Sequence, residues 1–155
     1  MAGKTGITGK QVKDESLTGD DILDGSVEQQ DLSFKEREYK FGRSGNNSSN
    51  TWLKTSGNKL SNRSGYGLDL VNPIITEITC TSRDTETYDI QIWEHDGNLN
   101  NDVLLGTVNI VGNSTQTFAV NFAATQGKQL AARIGATFSG NVRDPGVQVI
   151  VIGDN

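Results

Sequence analysis

Hydrophobic residues near the start of the chain stand alone at a fixed spacing of five. They are Ile7, Val12, Leu17, Ile22, Val27 and Leu32, separated almost entirely by Gly, Ser, Thr, Asp, Glu, Gln and Lys. On a helix this spacing scatters side chains around the axis, and on a strand it alternates them between faces. One copy of the segment therefore has no face to bury, and neighbouring copies would have to cover these side chains.

The same segment repeats at ten residues, since residues 12–17 match 22–27 and residues 17–22 match 27–32. Self-similarity at a fixed period is typical of a structural unit stacked on copies of itself. Asp-Gly-Ser and Thr-Gly-Asp groups supply turns between short extended pieces. We predict an extended arm over residues 1–33 that assembles with other copies about a common axis. The alternative is a solvated arm that orders only on binding a partner.

The remainder of the chain has a different pattern. Residues 34–50, a charged and aromatic run followed by a polar loop, are predicted to be a connector. From Thr51 onward, short apolar alternations are interrupted by Gly, Asn and Asp, which is typical of antiparallel sheets. The fold class predicted is all-β, with an antiparallel, jelly-roll-like β-sandwich knob over residues 51–155. Strands are predicted over 74–82, 87–95, 103–111, 115–124, 129–138 and 146–152.

Period-two alternation assigns side chains of these strands to faces. In the first strand, Ile74 is predicted to share a face with Ile78 and Cys80. In the second, Trp93 lies with Asp89 and Gln91, opposite Tyr88, Ile90 and Ile92. In the fourth, Phe118, Val120 and Phe122 alternate with smaller or polar residues. The last strand is apolar on both faces from Val149 onward, so we predict that it is central or lies at a subunit interface.

Composition narrows the class of protein. Only 34% of the 155 residues are hydrophobic and 18 are Gly, which fits a turn-rich β protein with a small core. No apolar run predicts a membrane span, and no signal peptide is visible. A net charge of −5 argues against a nucleic-acid partner, because phosphates need a basic surface. One cysteine excludes an internal disulfide, and we expect Cys80 to be a buried strand thiol.

The arm resembles tandem segments of the form V-x-D-G-S-[IVL]-x-x-x-D-[IL] found in fibre and decoration proteins of tailed bacteriophages. Residues 22–32, Ile-Leu-Asp-Gly-Ser-Val-Glu-Gln-Gln-Asp-Leu, carry the resemblance, and the preceding copy departs from it at Glu15, where the family usually has Gly. The resemblance implies a slender trimeric stalk or an attachment arm.

The part of the chain from Trp52 onward is similar to jelly-roll-like domains that cap such phage fibres and head decorations. The matching segments are residues 52–55, 64–68, 87–93 and 127–134 and the hydrophobic last strand. The resemblance implies a non-enzymatic virion protein on the capsid surface, made in the host cytoplasm. Its partners would be two further copies of itself and the major capsid protein or another virion protein. Alternatives are a tail-fibre tip that binds a host receptor or carbohydrate, and a bacterial adhesin fragment.

Candidate chemistry elsewhere is sparse. Asp96, Asn98, Asn100 and Asp102 alternate as calcium ligands do, but Asn101 and Thr107 occupy the positions where an EF-hand needs Gly and Glu. His95 is expected to be a surface residue at a strand end, since no partner that would make it catalytic is apparent. Asp84 and Glu86 are expected to be a solvated turn. No cofactor, metal or catalytic residue is predicted.

Aromatic side chains near polar loops suggest one ligand class. Trp52, Tyr66 and Trp93 are the candidate contacts for a host surface glycan, because sugars are recognised by stacking on aromatic rings and by planar hydrogen-bonding groups. Four cationic residues, Arg43, Lys54, Lys59 and Arg63, lie near the first two. The alternative is a polar surface loop that packs its aromatic residues inward.

Overall fold

The chain divides into two units, Met1–Ser33 and Phe34–Asn155. The computed structural model describes residues 34–55, 65–83, 87–96, 101–136 and 140–154. The predicted arm, with its six aliphatic positions at 7, 12, 17, 22, 27 and 32, lies outside the described residues. Self-assembly of the arm therefore stays a prediction.

The second unit is built from short and medium strands. The described residues form β1 (Phe34–Gly42), β2 (Asn46–Ser48), β3 (Lys54–Thr55), β4 (Tyr66–Gly67), β5 (Val71–Thr81), β6 (Tyr88–His95), β7 (Val103–Ile110), β8 (Gln116–Ala123), β9 (Gln129–Ile134), β10 (Asn141–Arg143) and β11 (Gly146–Asp154). The six strands predicted from the alternation correspond to β5, β6, β7, β8, β9 and β11.

The strands form two main antiparallel sheets. The five-stranded sheet has the order β3-β1-β11-β5-β8, and the four-stranded sheet has the order β4-β9-β6-β7, while β2 and β10 pair separately. Residues 50–53 extend the second sheet, since the Leu53 amide donates to the Ala132 carbonyl at 2.9 Å. Strands that follow each other in the chain mostly lie in different sheets, as in a jelly roll. The predicted all-β sandwich is confirmed.

The core lies between the inner faces of these sheets. Fully buried residues there include Ile75, Ile78, Cys80, Val149 and Val151 of the five-stranded sheet, and Ile90, Ile92, Ile110, Leu130, Ala132 and Ile134 of the four-stranded sheet. The predicted faces of β6 are confirmed, with Tyr88, Ile90 and Ile92 inward. Phe118, Val120 and Phe122 also pack against the core, as the alternation of β8 predicts.

The predicted face of Ile74 is wrong. The pairing of β5 with β11 shifts between Ile75 and Glu77, where Thr76 is an extra residue of β5. Such a bulge reverses the alternation on one side of it. Ile75 therefore enters the core beside Ile78, and Ile74 lies on the outer face of the five-stranded sheet, where it is partly exposed.

The predicted connector differs from the structure in its first half. Residues 34–42 form β1, which lies between β3 and β11 in the five-stranded sheet. Tyr39 and Phe41 point into the core and are 8% and 4% exposed, while Glu38 and Lys40 point outward. Charge on the outer face of a strand obscures the pattern that marks its inner face. The sandwich thus begins at Phe34, directly after the repeat.

The reactivity of the Cys80 thiol tests the packing of the core. Its side chain is fully buried on β5, and the loss of hydration raises the pKa of its thiol to about 12. Because the thiolate is the reactive species, we expect no reaction with a disulfide reagent in the native protein at mildly alkaline pH. One thiol per chain should react once guanidinium unfolds the domain. Rapid modification of the native chain would contradict this packing.

Candidate functional site

The two tryptophans meet on the outer face of the four-stranded sheet. Trp93 projects outward from β6, and Trp52 lies in the segment that pairs with β9, bridged to Arg133. Their ring centroids are 5.9 Å apart and their planes are inclined at 65°. Both side chains are only partly buried. Two of the three residues predicted as glycan contacts are therefore brought together.

The guanidinium of Arg133 lies over both indole rings. Its guanidinium carbon is 4.4 Å from the ring centroid of Trp93 and 5.2 Å from that of Trp52. Both distances are within the range of cation–π attraction. The guanidinium also donates to Gln91 Oε1 from Nε at 3.1 Å and from Nη2 at 2.7 Å. We call Trp52, Trp93, Arg133 and Gln91 the tryptophan cluster.

The carboxamide of Gln91 is fixed by its neighbours. The indole Nε1 of Trp93 donates to the same Oε1 at 3.3 Å, so three donor groups converge on one oxygen. Guanidinium and indole nitrogens can only donate hydrogen bonds. The atom that faces them must therefore be the side-chain oxygen of Gln91 and not its nitrogen. The Gln91 Nε2 group has no hydrogen-bond partner among the described residues.

The edge strand β7 extends this surface. Leu104 is paired with Trp93 and Thr107 with Gln91, so their side chains share the outer face of the sheet. Leu104 is 43% exposed, and Thr107 is also exposed. An apolar ridge of Trp52, Trp93 and Leu104 therefore lies beside a polar row that includes Gln91 and Thr107.

Tyr66, the third predicted contact, lies on the other side of the sheet. It pairs with the core residue Leu130, and its ring centroid is 5.2 Å from those of Tyr39 and Phe41. Its hydroxyl donates to the Lys40 carbonyl at 2.8 Å. The structure therefore uses Tyr66 to join the two sheets and does not place it with the tryptophans.

Sequence reasoning missed Gln91 and Arg133 as members of the cluster. Gln91 precedes Trp93 by two residues on a predicted strand, so a shared face was the available signal. Arg133 shares no local pattern with either tryptophan, because pairing of β9 with β6 and with residues 50–53 brings it there. Of the four cationic residues near the predicted contacts, Arg43 donates to the Trp52 carbonyl at 3.3 Å. Lys59 and Arg63 lie outside the described residues.

A second surface lies on the outer face of the five-stranded sheet. Ile150 and Ile152 of β11 and Ile74 of β5 point outward and are partly exposed. Ile152 pairs with Ile74, which pairs in turn with Ala123 of β8, and Ala119 lies one row further along. We call these five residues the isoleucine face. The last strand is central, as predicted, and carries apolar side chains on both of its faces.

Charged side chains lie both within and beside the isoleucine face, since Glu77 of β5 pairs with Ile150 and with Ala119 on the same outer face. Along β1, Glu36 pairs with Ile152 and Glu38 with Ile150, and both glutamates are exposed. Along β8, the exposed alanines leave the surface flat. An outer sheet face normally carries polar side chains. Three adjacent isoleucines in that position form a partly exposed apolar patch.

The structure gives little support to calcium binding at the candidate loop that begins at Asp96. Asp96 accepts from Asn101 Nδ2 at 2.8 Å and forms an ion pair with Lys128. The hydrogen bond from Lys128 holds the pKa of the Asp96 carboxyl below its usual range. A calcium ion would have to displace that ammonium group. Asn98 and Asn100 lie outside the described residues, and among those described no group of acidic, His or Cys side chains could hold a metal.

The expectation of a surface position for His95 is wrong. Its side chain is 1% exposed, and its Nδ1 lies 2.9 Å from the Asp96 carbonyl oxygen. Gly65 lies over the ring, since a Cβ atom there would approach His95 Nε2 to 2.9 Å. The neighbouring Glu94 is also buried and accepts from the amide and hydroxyl of Thr125 at 2.7 and 2.9 Å. These groups fasten the end of β6 to the β8–β9 loop. Asp84 and Glu86 lie outside the described residues.

Comparison with known proteins gives little beyond the fold. No family model matches the chain, and no curated protein matches it. Among solved structures, it is similar to the globular domain of the zebrafish complement 1qA protein, with 8% identity and a TM-score of 0.48. That match covers 76% of this chain and 96% of the other. No helix able to span a membrane occurs in the described residues.

Fold and surfaces together define the class of the second unit. It is an antiparallel, jelly-roll-like β-sandwich with an aromatic cluster on the outer face of one sheet and an apolar outer face on the other. Both surfaces are suited to contact with other molecules.

Proposed function

We propose that this protein is a non-enzymatic structural component of a tailed-phage virion, assembled as a homotrimer. The arm docks on the capsid as part of a decoration or head fibre, and the sandwich is the knob that projects into solvent. The resemblance of residues 22–32 to repeats in phage fibre and decoration proteins supports the virion assignment. The capsid protein or another virion protein is the partner of the arm.

The observation that carries self-assembly is the isoleucine face. Its occupant is a second copy of this chain, because the aliphatic residues of the arm independently require neighbouring copies for burial. In a three-fold ring each contact is heterologous, so the isoleucine face of one knob meets a different surface of the next. The exposed alanines on β8 permit close approach, while Glu36 and Glu38 along β1 border the contact.

The virion assignment is tested by labelling. An antibody raised against the knob should decorate the heads of phage particles produced by the source of this sequence, as seen by immunogold electron microscopy. Full-length protein should bind particles from a mutant lacking the gene, whereas a chain beginning at Phe34 should not. Absence of label from purified particles would contradict the virion assignment.

A second candidate function is that of a tail-fibre tip or a receptor-binding module. The tryptophan cluster favours it, because an exposed aromatic ridge beside fixed polar groups is typical of ligand recognition. Label at the tail tip, together with saturable binding of the isolated protein to host cells, would support this function over capsid decoration.

A further inference from the structure

We propose that the tryptophan cluster, with Leu104 and Thr107, binds a pyranose ring of a neutral polysaccharide. This inference deepens the proposed function, since it rests on a knob exposed to the host surface, and it specifies the binding residues and the ligand class. The surface joins aromatic carbon, an exposed aliphatic side chain and polar side chains on the adjacent strands β6 and β7. A pyranose presents complementary groups, with C–H bonds on its ring face and hydroxyls around its edge.

The apolar half of the site is the ridge of Trp52, Trp93 and Leu104. The chain contains two tryptophans, and both lie on this outer face although the core between the sheets could shelter them. Leu104 is 43% exposed beside Trp93 and extends the ridge toward the sheet edge. An indole beside an aliphatic side chain offers an apolar surface against which the C–H face of a sugar can pack.

The polar half of the site is set by Gln91. Its oxygen is held by three donors, so its Nε2 group is fixed in direction before any ligand arrives. A donor fixed in this way loses little conformational freedom on binding. Thr107 lies opposite Gln91 across the β6–β7 pair and places an exposed hydroxyl in the same row. Sugar hydroxyls can accept from the Gln91 amide and exchange hydrogen bonds with Thr107.

The charge of the surface favours a neutral ligand. The guanidinium of Arg133 lies over both indole rings and directs two of its donors to Gln91, so its charge is engaged within the cluster. Asp89 is on the same outer face of β6, with its carboxylate accepting from Asn109 Nδ2 at 2.7 Å. The chain also carries a net charge of −5, which repels acidic polysaccharides.

The two tryptophans make binding measurable in the full-length protein. Both indole N–H signals in a heteronuclear NMR spectrum arise from the cluster, so they report on this surface alone. The probes are hexasaccharides of glucose, galactose and N-acetylglucosamine, with a polyuronic acid hexasaccharide as the anionic comparison. We expect at least one neutral hexasaccharide to shift both indole signals saturably at millimolar concentration.

The informative variant is Gln91→Glu. A carboxylate keeps the acceptor for Arg133 and Trp93, so the cluster and the melting temperature should be retained, but both Nε2 donors are lost. We expect the neutral saccharide to bind about 3- to 10-fold more weakly, the factor for one or two hydrogen bonds. Leu104→Ser should weaken binding by a similar factor. Asn141→Asp, which adds the same charge at an exposed position on β10, should leave affinity unchanged.

Two outcomes would overturn the proposal. One is an absence of indole shifts with every neutral hexasaccharide while the protein keeps its native melting temperature. The other is unchanged affinity of the Gln91→Glu and Leu104→Ser variants for a saccharide that does bind. Neither outcome depends on particle labelling or on the solution mass, so failure here is distinct from failure of the trimeric virion assignment.

Discussion

Replacing Ile150 and Ile152 together by lysine should convert the proposed trimer to folded monomers. Both side chains point away from the core on β11 and are partly exposed, so in a monomer the lysine ammonium groups can reach water. In an assembled interface the same ammonium groups would lose hydration even where they pair with Glu36 and Glu38, and a buried ion pair is less stable than packed apolar side chains by about 1–4 kcal/mol. A cost of that size weakens association by about 10- to 100-fold or more. Light scattering measures the mass, and circular dichroism verifies the β fold.

Val111→Lys is the matched control for the double variant. Val111 is 60% exposed in the turn between β7 and β8, away from the isoleucine face. Like the double variant, Val111→Lys replaces an exposed aliphatic side chain by lysine, but it should leave the proposed trimer intact. Retention of the trimer by the double variant would show that another surface, or the arm alone, holds the copies together.

Gly106→Ala should destabilise the knob clearly, although the substitution adds only one methyl group. A Cβ atom at position 106 would lie 2.2 Å from ring carbons of Phe122, which occupies the space left by the missing side chain. Phe122 must then move, and overpacking of this kind costs about 1–3 kcal/mol. Chemical denaturation should show a lower midpoint with an unchanged slope.

Gly67→Ala provides the control, because no atom lies within 4 Å of a Cβ built there. The clash itself is isolated by a double-mutant cycle with Phe122→Ala. In that background the alanine at position 106 should cost far less free energy of unfolding than in the wild type. Equal costs in the two backgrounds would mean that the destabilisation does not arise from the Phe122 ring.

Alternation along the chain was sufficient to predict the central strands of the sandwich. In β6, apolar Tyr88, Ile90 and Ile92 alternate with residues of the outer face, and the observed strand follows that pattern. In β11, apolar residues on both faces predicted a central strand, and Ile150 and Ile152 now mark a surface on its outer side. These features depend on local periodicity, which a sequence displays directly.

Other features depend on contacts between distant segments. The bulge in β5, seen in its pairing with β11, places Ile74 on the outer face, and no local sequence pattern predicts the added residue. The outward charges of β1 concealed a strand that holds Tyr39 and Phe41 in the core. Arg133 joined the tryptophans only because β9 pairs with two other segments. Register and bulges are settled by tertiary packing, so periodicity alone could not predict them.

The tryptophan cluster shows how much of a candidate site a sequence can predict. Trp52 and Trp93 were candidate contacts because of their residue type and loop surroundings, and the structure places them 5.9 Å apart. Tyr66 was a candidate for the same two reasons, but it packs against Tyr39 and Phe41 on the inner side of its sheet. Residue type indicates which side chains could bind a sugar, whereas strand pairing decides which of them share a surface.

The solution mass of the full-length protein tests the central claim most directly. Multi-angle light scattering during size-exclusion chromatography, repeated over a range of concentrations, should give about 50 kDa, three times the chain mass of 16.7 kDa. That mass should persist on dilution into the low micromolar range. A mass of 16.7 kDa at every concentration would contradict self-assembly through the isoleucine face and the trimeric virion assignment that rests on it.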